Sequence, residues 1–96
     1  MTSPESLTNY RKKMMRKRLM DFMLQNLLPD YIDYAILDDI KTFVNNETEE
    51  YGSEISAFCE YFGLGRWFET KMEDCDFEIE DFFAEYAKEI EWRAAE

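Results

Sequence analysis

The sequence predicts an all-α chain: a compact bundle of four to five helices, the last one aromatic on its inner face and acidic outside. Three observations carry that prediction. The apolar residues recur with a helical period along the chain. No run alternates apolar and polar residues, and no Asn-Gly or Asp-Gly pair offers a hairpin turn. Two prolines and three glycines in 96 residues leave room for few loops. The length suits one domain spanning 1–96. Its 46% apolar and 17% aromatic residues set it apart from disordered acidic chains, which are poor in both.

Ser3, Pro4 and Glu5 read as a helix cap, a proline at the first helical position and an acid in the first turn. The first helix then continues to about Leu28, where Pro29 stops it. Asp30 is the expected cap of a second helix carrying Ile32, Ile36, Ile40, Phe43 and Val44 and ending at Asn45-Asn46. Asn46 and Glu49 resemble a capping box that opens a third helix, with Tyr51, Ile55, Phe58, Cys59 and Phe62 on one face. Gly63-Leu64 is a left-handed stop followed by an apolar residue. A short fourth helix is expected over 66–73, holding Trp67, Phe68 and Met72. Asp74 or Asp76 is the expected cap of the last helix. In that helix Ile79, Phe82, Phe83, Tyr86 and Ile90 share about a third of the circumference. The acidic tail is thus expected to dock through its aromatics.

Charge is segregated along the chain. Residues 1–28 hold six basic side chains and two acids, a net +4; residues 29–96 hold five bases and twenty acids, a net −15. The basic residues Arg11, Lys12, Lys13, Arg16, Lys17 and Arg18 wrap most of the first helix half, 4–18. They leave an apolar edge at Leu7, Tyr10 and Met14, after which 19–28 is apolar almost all round. In the last helix Glu78, Asp81, Glu85 and Glu89 line up beside the apolar face. Acids at a helix start favour its dipole, so Glu78, Glu80 and Asp81 need no further reason. Glu85, Glu89 and Glu91 approach the negative end, and neighbouring acids of one sign repel by about 0.2–0.5 kcal/mol per pair.

Several chemistries are disfavoured. There is no histidine, and Cys59 and Cys75 alone cannot complete a structural zinc site. Asp74, Asp76, Glu78 and Glu85 match part of a calcium-loop register, but Ile79 stands where the sharp turn needs glycine. No phosphate-cradling glycine loop and no nucleophile with a base is present, so no catalytic, cofactor or metal residues are assigned. The run from Arg11 into the apolar 19–28 imitates a signal peptide, but Asp21, Gln25 and Asn26 interrupt it and no small-residue cleavage site follows. The chain is read as unprocessed and cytoplasmic (of the host cell, if viral), with its two cysteines buried and reduced.

A rigid line of carboxylates approximates a row of phosphates. The expected function is therefore a non-catalytic inhibitor that occupies a basic nucleic-acid-binding surface of a partner protein. This is the DNA-mimic mode of some phage anti-restriction and anti-CRISPR proteins. The candidate contacts are Glu78, Asp81, Glu85 and Glu89, with Phe77 and Trp92 beside them. Met14, Met15 and Met20 join these two aromatics as an apolar surplus that could also mark a partner surface. The competing reading is a regulator that binds nucleic acid through Arg11 to Arg18, though phosphate would have to approach against the net field. A third is an assembly subunit, a homodimer for example, whose basic turn meets acids of another copy.

Overall fold

The computed structural model describes residues 4–95 and is all-helical, with no strand among them. Five helices follow in order: α1 (Pro4–Asn26), α2 (Tyr34–Tyr51), α3 (Glu54–Phe62), α4 (Arg66–Asp74) and α5 (Ile79–Ala95). They form a flat body of about 47 × 37 × 18 Å. α5 packs against α1, α2 and α3, while α1 touches only α4 and α5. Pro4 opens α1 as expected, whereas the expected cap, Ser3, lies outside the described residues.

Several boundaries differ from the sequence expectation, beginning with α1, which ends at Asn26 and not at Leu28. The cap of α2 is Asp33, whose carboxylate accepts from the Ile36 amide at 2.9 Å, and not Asp30. The reason lies in the flanking apolar residues. With Asp33 as cap, Ile32 precedes it and Leu37 is the fourth helical residue, the pair of positions that forms a hydrophobic staple; both are buried. α2 also runs through Asn45-Asn46, whose side chains are exposed, to Tyr51. It ends only at Gly52, in the left-handed conformation at φ 91°. Ser53 then caps α3 by accepting from the Ser56 amide at 3.0 Å. Tyr51 therefore belongs to α2, exposed and stacked on Phe43, and not to the buried face of α3.

Gly63 ends α3 as the sequence predicts. Its φ is 67°, and the amides of Leu64 and Gly63 reach back to the carbonyls of Cys59 (2.8 Å) and Glu60 (3.3 Å). α4 ends by the same hydrogen-bond pattern, with Phe77 N–H on Met72 at 2.9 Å and Asp76 N–H on Glu73 at 3.1 Å. Here the left-handed residue is Asp76, at φ 56°. Neither Asp74 nor Asp76 caps α5, because Asp76 is already the stop of α4 and α5 begins at Ile79.

The buried side chains form one core. α5 contributes Ile79, Phe82, Phe83, Tyr86 and Ile90, the five residues its periodicity selects. Phe82 stands edge-on to Phe58 and Phe62, with ring centroids 5.0 and 6.0 Å away. Burying such rings, at about 1.5–3 kcal/mol each, overrides the mutual repulsion of the outer carboxylates. Among the described residues α1 contributes only Leu19 and Met23 in full, with Met15 and Met20 partly covered and Leu27 and Leu28, just past its end, covered likewise.

Candidate functional site

Glu78, just ahead of α5, and the acids Asp81, Glu85 and Glu89 on it differ in their local partners. Glu78 and Asp81 are exposed, with no cation within 4 Å among the described residues. Glu85 pairs with Lys88 at 3.1 Å and Glu89 with Arg93 at 3.0 Å. Arg93 also donates through Nη1 to the carbonyls of Pro29 (3.0 Å) and Asp30 (2.9 Å). Glu89 thus orients the guanidinium that ties the end of α5 to the loop after α1. Glu91 accepts a 3.3 Å hydrogen bond from the Tyr34 hydroxyl. The acids near the negative end of the helix have local partners, which accounts for their presence there.

The fold gathers unpaired acids elsewhere. Where α3 and α5 begin, Glu54, Glu78 and Glu80 rim a shallow cavity of about 330 Å³ floored by Ile55, Phe77 and Ile79. At the end of α2, the exposed Tyr51 has its phenol pKa raised, first by partial desolvation and then by the negative charge of Glu60, Glu47 and Glu50. Tyr61 donates to Asp39 at 2.9 Å on the same pair of helices. Glu47, Glu50, Glu54 and Glu60 come from two helices brought together by the turn at Gly52-Ser53. Only that pair of residues in the sequence could have signalled the juxtaposition.

Of the two aromatics expected at a partner surface, one is available. Trp92 is 59% exposed. Phe77 is buried at 5%, which corrects its assignment as a contact residue. Phe77 is the apolar residue after a left-handed stop, the position that packs back on the helix just ended. Of the methionines singled out with them, Met14, Met15 and Met20 are half-buried.

The basic run is divided as well. Lys12 pairs with Asp76 at 2.7 Å, and Arg16 donates to the Cys75 carbonyl at 2.8 Å, so both brace the corner between α4 and α5. The Lys12 ammonium, first by its hydrogen bond, holds the Asp76 carboxyl below its ordinary pKa. Arg11, Lys13, Lys17 and Arg18 are exposed, with no carboxylate within 4 Å among the described residues. Between α1 and α5 lies an open groove of about 590 Å³, with Lys13 and Lys17 on one wall and Asp81 and Glu85 on the other.

Cys59 and Cys75 are buried free thiols. Burial, then Glu69 and Glu73, pushes the Cys59 thiol up to about 12, far from a thiolate nucleophile. No three His, Cys, Asp or Glu side chains among the described residues come together as a metal site. No helix among them is long and apolar enough to cross a membrane. The chain matches no family model, no curated protein and no solved structure.

Proposed function

We propose that this chain is a non-catalytic binding protein that presents a fixed array of carboxylates to a basic, nucleic-acid-handling surface of a partner protein. One observation carries the reading. Among the described residues only Asp76, Glu85 and Glu89 have a cation within 4 Å, although the chain holds twenty-two acids. The contact surface we assign is the rim of Glu54, Glu78 and Glu80 together with Glu47, Glu50 and Glu60 around the exposed Tyr51. All but Glu78 sit on helices held by a common core, and Glu78 immediately precedes α5, so their spacing survives binding, as occupying a phosphate track requires. The buried free thiols suit a reducing compartment such as the cytoplasm of a cell or of an infected host.

Binding should depend on charge and on rate. The protein alone should not bind duplex or single-stranded nucleic acid at about 150 mM salt, because its net field repels phosphate. Captured partners from a lysate, identified by mass spectrometry, should include nucleic-acid-binding proteins whose nucleic acid this chain displaces. Glu54→Gln, Glu78→Gln and Glu80→Gln together should slow association by about tenfold and flatten its salt dependence. Unchanged association in that triple variant would remove the acidic rim from the interface. Sub-micromolar binding of the isolated protein to nucleic acid, lost on neutralising Arg11, Lys13, Lys17 and Arg18, would assign the function to the basic helix instead.

A further inference from the structure

The groove between α1 and α5 has an order of charge that the acidic rim does not explain. The two helices run side by side in the same direction. Lys12 and Arg16 meet Asp76 and Cys75 just ahead of α5, and Arg93 near its end meets Pro29 and Asp30 just past α1. Along the α1 wall come Lys13, Lys17 and then Asp21; along the α5 wall come Asp81, Glu85 and then Lys88. Each wall thus opposes the other in sign from one end to the other. Yet no ion pair within 4 Å crosses the groove among the described residues, and Lys88 pairs on its own helix. Between the walls the lining is apolar, with Leu24 half-buried and Ala84 exposed.

We infer that this groove is a seam for a second copy of the same chain. A symmetric dimer needs a patch that complements itself under a two-fold rotation. An axis running along the groove lays α1 of one copy over α5 of the other and keeps both directions. Lys13 and Lys17 then face Asp81 and Glu85 of the second copy, and Asp21 faces its Lys88. An in-plane axis across the groove would lay α1 antiparallel on α1, so that Lys13 meets Asp21 but Lys17 meets Lys17 and, on α5, Glu85 meets Glu85. The charge order therefore selects one of the two arrangements. Ala84 adds a small residue in the groove lining, where the second copy approaches, inside a polar rim, the usual anatomy of an interface. The seam shares Phe77 with the cavity of the acidic rim but uses none of the rim acids Glu54, Glu78 and Glu80, so the charge variants below leave those acids in place.

Charge exchange tests the geometry directly. The parent at about 100 μM should sediment as a dimer in about 50 mM salt and shift toward monomer in about 1 M salt. Lys13→Glu with Lys17→Glu, and separately Asp81→Lys with Glu85→Lys, should each be monomeric in low salt while keeping the helical circular dichroism of the parent. Mixed in equal amounts, the two variants should form a one-to-one heterodimer, because each supplies the walls the other lacks. Ala84→Arg, which crowds the seam without entering the core, should weaken the parent dimer by about tenfold or more. A parent that stays monomeric in low salt overturns the inference. So does a dimer that persists in both charge variants, or a mixture that stays monomeric.

Discussion

α1 and α5 lie side by side and point the same way, yet they are held by different means. α5 buries five large side chains in 17 residues, whereas α1, the longer helix, buries only Leu19 and Met23 among its described side chains. Residues 5–11 of α1 are exposed throughout, Leu7 and Tyr10 included. The difference is one of position. α5 meets three other helices, so a narrow apolar stripe reaches core on most of its length. α1 lies at the margin against α4 and α5 alone, so even its all-round apolar half leaves Phe22 at 44% exposure. Apolar content thus measures what a helix can bury, and its neighbours decide what it does bury.

The largest expected effect breaks the better-anchored member of the pair. Phe82→Ala removes a fully buried ring that meets Phe58, Phe62, Phe83 and Tyr86, and should destabilise by about 3–5 kcal/mol. Tyr10→Ala, at 61% exposure on α1, should stay within about 0.5 kcal/mol of the parent. Urea titration of both variants measures the contrast. Equal costs would mean that α1 is docked along its whole length.

Next in size are the two left-handed stops, and they show how much of the fold was legible. Gly63→Ala forces a side chain into positive φ and should cost about 1–2 kcal/mol, read as a lower denaturation midpoint at unchanged slope. The stop at Gly63 was readable because glycine announces it. The matching stop at Asp76 was not, because an aspartate before an acidic helix reads equally well as a cap. Phe77 was misplaced for the same reason, since its burial follows from the stop. The α5 stripe was readable because periodicity depends only on spacing. The site was less so: ion pairs such as Glu85–Lys88 share a helix and could be counted, but Arg93 on the Pro29 carbonyl and Glu54 beside Glu80 depend on the tertiary fold.

Tyr86 offers a smaller effect of opposite sign. Its ring is fully buried in α5, and its hydroxyl has no hydrogen-bond partner among the described residues. Tyr86→Phe keeps the packing, removes an uncompensated polar atom and should stabilise by about 1 kcal/mol. Burial pushes the Tyr86 phenol up to about 12 from an ordinary 10.0. The folded state therefore holds this proton more tightly than the unfolded chain. That contribution is complete below the ordinary value and is lost as pH rises toward 12. Thermal melts from neutral to strongly alkaline pH should show the Tyr86→Phe variant falling less steeply than the parent. Parallel curves would mean that Tyr86 does not titrate with unfolding.

The smallest expected effect lies where the two helices are joined. Lys12 of α1 holds Asp76, whose left-handed φ of 56° ends α4 and sets the start of α5. Asp76→Asn separates the two roles of this residue. Asparagine tolerates the left-handed region about as well, so the chain reversal is kept and only the charge is lost. The Asp76 carboxyl, held below its ordinary 3.8 first by the Lys12 hydrogen bond, contributes fully above that value. Its contribution is lost as pH falls through the lowered folded value. The pair is solvent-exposed, so the stability gap between parent and variant should be small at neutral pH and close in strong acid. Moderate salt should narrow it too, because screening acts on the charge and not on the turn. A gap that persists unchanged through the acid range would show that the backbone of Asp76, and not its bond to α1, sets the corner.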